Sequence, residues 1–479
     1  MGSELNLREE NLISRLYDIK RKQDGIKRED VKKLAEELKI PFAKAYQIAS
    51  FYTFPNTTNS EYNILSKVNL VSFKSHEFKD YISHDGYESF KKSVELPGRY
   101  VLEEVEKSKL RGRGGAGFPA AKKWRSCRNA SNQEKFLIAN GHNGDPGSNS
   151  DRYLMAYHSH QLIEGMLIAA YAIGASQGIV YVEGEFQDSV QNLDKAIRQA
   201  YSNNLLGKNI LGSGFDFDLK IFEAAGMYVC GESTALMRAI EGKVGEPRVK
   251  HVHTAEKGLF DKPTVLNNVE TLINVPTIIK MGGEFYAKTG TETSTGTKVS
   301  TLSHHGCHPL GICEVPMGAT LSNIIHFFAG IDEDSDVKAV QIGGPLGGYV
   351  PKRLLNTKLC FDELSEVGVM MGDAITVFDA SRWTVPDNAI ISSLYNSINF
   401  LKDESCGKCI SCKETLRRTG DILKDLNYGQ GKQGDLELLE RLGSYAKDAS
   451  LCQLGKSIFN PVHTAIKYFR EDFEKQIKE

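Results

Sequence analysis

The chain has 479 residues, 41% of them hydrophobic and 25% charged, with a formal net charge of −2. This is an ordinary globular mixture with length for about three domains; the near-neutral charge argues against a nucleic-acid surface, and no run approaches the ~20 apolar residues of a membrane helix. The cysteines are Cys127, Cys230, Cys307, Cys313, Cys360, Cys406, Cys409, Cys412 and Cys452. An odd cysteine count, with no apolar signal-peptide core in the first residues, points to a reducing compartment and hence the cytoplasm.

Residues 1–58 read as a small helical module. Leu12, Leu16 and Ile19 share one helical face. Asp30 is placed to cap a second helix carrying Val31, Leu34 and Leu38, and Pro41 suits the first turn of a third with Ala45, Ile48, Ala49 and Tyr52 in register. Pro55 to Ser60 reads as a linker, and residues 59–95 as a connector.

Residues 96–296 form the next unit. A helix over 102–109 leads into Leu110-Arg111-Gly112-Arg113-Gly114-Gly115-Ala116-Gly117-Phe118-Pro119. Glycines at this density leave the backbone free to wrap a phosphate or a flat ring and to donate its N–H groups. Arg111 and Arg113 add positive charge, and Lys123 and Trp124 follow on a helix. A flexible surface turn is the plain alternative. Beyond residue 135 strands and helices alternate. Strands are expected at 136–139, 179–182 and 215–221, with helices at 162–173 and 188–201, so the unit is a layered α/β domain. Three loops stand out: Asn140 to Gly147; Tyr228-Val229-Cys230-Gly231-Glu232-Ser233, which opens a helix able to face an anion; and Lys262 to Thr271, with the adjacent amides Asn267 and Asn268.

Residues 297–382 suggest short strands around one helix near 321–328. His304, His305 and His308 lie close in sequence but are read as a surface loop. From about 383 the chain is helical. Near its end stand Cys406-Gly407-Lys408-Cys409-Ile410-Ser411-Cys412 and, farther on, Cys452. A cysteine every third residue lets a tight loop aim three thiolates at one centre, and a distant fourth closes the tetrahedron, the ligand pattern of a [4Fe–4S] cluster. Structural zinc more often uses two separated Cys-x-x-Cys pairs, a redox Cys-x-x-Cys would leave two cysteines without a role, and four unrelated buried cysteines is the plain alternative.

Together these motifs resemble the NADH-oxidising FMN/[4Fe–4S] flavoprotein subunit of respiratory complex I, and its relatives in soluble NAD-reducing hydrogenases and NAD-dependent formate dehydrogenases. The resemblance covers about residues 85 to 470. It rests on Arg111 to Pro119 with Lys123-Trp124, Cys230-Gly231-Glu232 with Glu241-Gly242 and Pro247-Arg248, Asn267 to Thr271, and the four cysteines. The N-terminal helices resemble the start of that family's thioredoxin-like partner subunit.

The resemblance implies a Rossmann-like FMN domain, a ubiquitin-like β-grasp domain at 297–382 and a helical cluster domain at 383–479. It implies FMN held by Gly112, Arg113, Gly114, Gly115, Lys123, Asn140, His142, Asn143, Tyr228, Gly231, Glu232, Leu266, Asn267, Asn268 and Thr271. A nicotinamide dinucleotide, NAD(H) or NADP(H), would lie by Gly117, Phe118, Glu232, Ser233 and Lys250. The cluster ligands would be Cys406, Cys409, Cys412 and Cys452, and the partners other Fe–S and catalytic subunits of a soluble complex. The chain departs from the family where Asn-Ala-Asp-Glu-x-Glu-Pro-Gly is replaced by Asn140-Gly141-His142-Asn143-Gly144-Asp145-Pro146-Gly147, and where a second glutamate after Cys-Gly-Glu is replaced by Ser233. Two functions follow: an NAD(P)H dehydrogenase subunit of diaphorase type, or a non-enzymatic electron relay of the same fold whose nucleotide site is altered.

Overall fold

The computed structural model describes residue 15 and residues 28–39, 75–132, 134–249, 253–305, 309–331, 335–380 and 385–478. Helix α1 (Arg28–Leu38) is the second of the three helices expected near the N-terminus, and it buries Val31, Leu34 and Ala35. The other two helices, the linker after Pro55 and Lys250 lie outside the described residues. The stretch expected as a connector instead holds α2 (Phe78–Ser83) and α3 (Glu88–Val94), with Tyr81, Tyr87 and Phe90 buried. Its charges are interleaved with those aromatics, which hid two short packed helices behind a polar composition.

The chain continues through α4 (Gly98–Lys107), α5 (Ala120–Asn129), β1 (Phe136–Gly141), α6 (Ser150–Tyr157), α7 (Ser159–Ile173), β2 (Gln177–Glu183), α8 (Gln187–Ser202), β3 (Asp218–Ala224), α9 (Ser233–Ile240), β4 (Thr264–Asn268) and α10 (Val269–Met281). The four strands form one parallel sheet in the order β3-β2-β1-β4. β3 begins later than the alternation of Phe215 to Ile221 suggested, because Phe217 pairs instead with Gly207 in an isolated bridge. The stretch over 262–271, read as a loop, is β4 followed directly by α10.

Period-two burial divides the sheet between two cores. Leu137, Ala139, Val180 and Val182 face α7 and α10, whereas Ile138, Ile179 and Tyr181 face α9 and the C-terminal helices. Helix α7 is buried around its whole circumference and stops at Gly174, whose φ of 77° supplies the left-handed cap. Its Glu164 accepts hydrogen bonds from the Tyr81 hydroxyl and, at 2.9 and 3.0 Å, from the Tyr87 and Phe90 amides. Glu164→Ala leaves these buried donors unpaired and is expected to cost on the order of 3 kcal/mol, read as a lower urea midpoint at unchanged slope. A midpoint within error of wild type would show that water replaces the carboxylate.

After α11 (Gly283–Tyr286) come β5 (Thr297–His304), β6 (Pro309–Pro316), α12 (Leu321–Ala329), β7 (Val337–Ile342), β8 (Gly348–Pro351), α13 (Phe361–Glu366) and β9 (Ala374–Asp379). The sheet order is β6-β5-β9-β7-β8, with β5 and β9 parallel and the other pairs antiparallel. This is the β-grasp arrangement that the resemblance implied. The histidine group is not a surface loop: His304 ends β5 and is buried, and His305 stacks on Phe378 at 4.2 Å. His308 lies outside the described residues. Helices α14 (Ala389–Asp403), α15 (Ile410–Asn427), α16 (Asp435–Ala449), α17 (Gln453–Ser457) and α18 (Phe459–Glu474) complete the chain. No helix among the described residues is long and apolar enough to cross a membrane.

Candidate functional site

In the sheet order β3-β2-β1-β4, the chain crosses from β3 at one edge to β4 at the other, beside β1. Such a crossover opens a crevice beyond the carboxyl ends of the strands. Here β1 ends in Asn140 and Gly141, and β4 in Asn267 and Asn268. Above them lies an open cleft. Its walls are the glycine-rich loop, the 143–151 loop, the 228–233 segment and, from the β-grasp sheet, Gly343 and Met370 to Asp373.

The glycine-rich loop is held from behind. The Gly112 amide donates to Phe118 O at 2.9 Å, and the Arg113 amide to Thr271 Oγ1 at 2.9 Å. Thr271 is fully buried, so it supports the loop and does not line the cleft. The two arginines do not charge the cleft as their sequence position suggested. The buried Arg113 guanidinium donates to Arg111 O at 3.0 Å and Thr295 O at 2.6 Å. Arg111 donates to Gly117 O at 2.7 Å and lies over the Phe361 ring. Both guanidinium groups therefore tie the loop down, although Arg113 also lines the cleft. Gly115 and Gly117 take φ of 103° and 61°, where side chains with a Cβ are strained. Phe118 stays 43% exposed, with the ammonium groups of Lys122 and Lys123 at 5.9 and 6.0 Å from its ring centre.

The amides at the strand ends serve the protein first. Asn140 accepts from the His142 amide at 3.1 Å and donates to Gly231 O at 3.1 Å. Asn267 accepts from Trp124 Nε1 at 2.9 Å. Asn268 caps α10 by accepting from the Glu270 amide, and donates to Asp151 at 2.5 Å. Glu232 caps α9, accepting from the Thr234 and Ala235 amides at 2.8 and 3.0 Å, and Ser233 donates to its other oxygen at 3.1 Å. Asn143, at φ 47°, donates to Ser148 O at 3.1 Å. Asn140, Asn143, Glu232, Ser233, Asn267 and Asn268 all line the cleft, as do Gly231 and Leu266.

His142 lines the cleft with a buried ring. Its Nε2 lies 2.8 Å from Met227 O and 2.9 Å from Glu183 Oε1. Burial alone would lower its pKa, but the Glu183 carboxylate and the Met227 carbonyl outweigh that and hold it above the ordinary value. Lys123 donates to Leu266 O at 2.7 Å, and burial lowers it to about 8. An anion in the cleft would reverse that shift.

Sequence reasoning missed the acidic side of the cleft. Burial, with Asp373 as the next cause, raises Asp145 to about 7 and Asp151 to about 8. Asp145 accepts from the Tyr228 hydroxyl at 2.5 Å, and Asp373 from the hydroxyls of Ser148 and Ser150. Lys298 and Glu270 form a buried pair at 2.5 Å at the same wall. Asp373 and Lys298 come from the β-grasp domain and stand far from the glycine loop in sequence. No local pattern marks them.

Behind the 228–232 segment lies a second, smaller cavity. Cys406, Cys409, Cys412 and Cys452 all line it, with Val229, Ser405 and Leu454. Cys412 and Cys452 are buried, which pushes the Cys412 thiol up to about 11 and raises Cys452. Among the described residues no group of three or more His, Cys, Asp or Glu is arranged around a single metal ion. Four thiols around one cavity fit a multi-iron cluster whose corners each take one thiolate. Val229 and Leu454 line both this cavity and the cleft.

Residues 105–277 match the family model of the Nuo51 FMN-binding domain, and residues 392–476 that of the NADH-ubiquinone oxidoreductase-F iron-sulfur binding region. The chain is 38% identical over 400 residues to the NADP-reducing hydrogenase subunit HndC of Solidesulfovibrio fructosivorans, covering 83% of this chain and 80% of that protein. It is 38% identical over 407 residues to an NADH-quinone oxidoreductase subunit of Rhizobium meliloti (strain 1021), covering 84% and 95%. Its fold is similar to a chain in the crystal structure of the NAD+-reducing [NiFe]-hydrogenase in the H2-reduced state, with TM-score 0.76, 29% identity, and coverage of 95% of this chain and 73% of that one.

Proposed function

Because this chain belongs to the NADH-quinone oxidoreductase-F flavoprotein family, we propose that it takes electrons from a nicotinamide dinucleotide at the cleft and delivers them to the cysteine cavity. It is a flavoprotein electron-transfer subunit with FMN and one [4Fe–4S] cluster. The observation that supports this most is the wall shared by the two cavities at Val229 and Leu454. Tunnelling between carriers needs them close, and a wall one residue thick provides that.

FMN, when bound, supplies the exchange between two-electron and one-electron chemistry. The residues fit it. The glycine loop offers unobstructed amides, Lys123 is a desolvated cation suited to a phosphate, and Asn140, Asn267 and Asn268 fix the cleft floor. The protein's own part is to orient the ring and the dinucleotide and to exclude water. Phe118, exposed at the rim, offers a stacking face for a nucleotide base. Cys406, Cys409, Cys412 and Cys452 hold the cluster. The chain works beside other Fe–S and catalytic subunits of a larger complex, in the cytoplasm. Anaerobic titration with NADH and NADPH tests the reading: flavin bleaching followed by the signal of a reduced cluster supports it. Bleaching by neither nucleotide overturns the dehydrogenase role and leaves a relay.

Nucleotide preference is expected to be weak or to favour NADPH. Where relatives carry acids, Asn143 and Ser233 stand at the cleft, and Ser233 turns its hydroxyl to Glu232. A carboxylate at about 4 Å from a 2′-phosphate costs on the order of 1–4 kcal/mol. Ser233→Glu is therefore expected to raise the NADPH KM at least about tenfold while sparing NADH. Equal loss with both nucleotides would place Ser233 away from the phosphate.

A further inference from the structure

The 228–232 segment separates the cleft from the cysteine cavity, and on the cysteine side Glu404 holds it. Glu404 is the C-terminal cap residue of α14, two positions before Cys406, and its Oε2 accepts the Tyr228 amide at 2.9 Å. One helical turn earlier on the same helix, Phe400 sets its ring edge-on to Tyr228 at 5.1 Å. Tyr228 then faces the cleft, where its hydroxyl donates to Asp145 at 2.5 Å. Its neighbour Val229 lines both cavities. A single short path therefore runs from the 143–151 loop through Asp145, Tyr228 and Glu404 to the first cluster cysteine. The path is made of two hydrogen bonds between elements far apart in sequence and the two residues of chain from Glu404 to Cys406, with the Phe400 ring packed beside it.

Resting on the reading of cleft and cavity above, we infer that Glu404 is a positioning residue that couples the two cofactor sites, so that filling one strengthens the other. Coupling of this kind is reciprocal and commonly amounts to fivefold or more. Glu404 lines neither the cleft nor the cysteine cavity; it acts through the Tyr228 backbone.

The test measures FMN dissociation constants for the cluster-loaded and the iron-stripped full chain, and the rate of iron release to a chelator with and without saturating FMN. In the wild type, FMN is expected to bind at least about fivefold tighter to the loaded protein and to slow iron release. In Glu404→Ala both differences should vanish while the four cysteines still hold iron. Glu404→Gln, whose carboxamide oxygen accepts the same N–H, should keep them. Coupling that is absent in the wild type, or intact in Glu404→Ala, overturns the inference. Should Glu404→Ala fail to load iron, Glu404→Gln decides: coupling kept supports the hydrogen bond, and coupling lost overturns it. A wild-type chain that binds neither FMN nor iron would instead overturn the functional reading itself.

Discussion

Cys452→Ala is expected to purify with most of its iron and acid-labile sulfide gone. Cys452 stands at the start of α17, some forty residues beyond the other three ligands, yet its thiol meets theirs in one cavity. The contact is tight. A Cβ built on Gly455 would lie 2.5 Å from the Ser450 Cβ and 3.1 Å from the Cys412 Cβ. Ser411 and Ser450 approach each other at 3.2 Å. The 450–455 turn is thus pressed onto the cysteine loop, leaving little room for a water or a shifted side chain to replace the lost thiolate. Ligands gathered from distant segments also tie cluster loading to folding, so the variant should melt at a lower temperature. Cys127→Ala is the control. Cys127 is also buried, which pushes its thiol up to about 11 against the opposing charge of Lys135, and it does not line the cysteine cavity. Its iron content should match wild type. Zinc in place of iron, or an unchanged cluster spectrum in Cys452→Ala, would remove the cluster assignment.

Gly115→Val is expected to yield a folded chain without flavin. At φ 103° a residue with a Cβ is strained, and a β-branched one more so. The added Cβ would also sit 3.1 Å from Met371 O, across the cleft on the β-grasp side. Relief requires the loop to move, and the loop's unobstructed backbone is what a phosphate or ring approaches. Gly112→Ala makes the comparison. Its Cβ would meet only the Phe118 backbone, no closer than 3.5 Å, an ordinary contact, so that variant should keep most of its flavin. Absorbance of the purified proteins reads both. Full flavin occupancy in Gly115→Val would reduce the loop to a structural turn.

The sequence alone determined the chemistry that local spacing carries. Three cysteines at every third position, a dense run of glycines before Lys123-Trp124, and alternating strand and helix periods each depend on residues near one another in the chain. Those features sufficed for the cluster and the α/β character, and the flavin followed only from the resemblance that the motifs carry together. Tertiary structure decided what side chains do once distant segments meet. Arg113 reads as a cleft cation, yet Thr295 and Tyr286, supplied by a segment some 180 residues away, draw its guanidinium into the core. Glu232 reads as a ligand-facing acid, yet its carboxylate first satisfies the open amides of α9. Residues 75–95 read as a connector until Glu164 of α7 offers acceptors for their hydroxyl and amides. The acidic wall of the cleft arises only because the β-grasp domain closes on the 143–151 loop and brings Asp373 beside Asp145 and Asp151. Burial and the proximity of like charges are properties of the packed chain. No periodicity or spacing in the sequence encodes them.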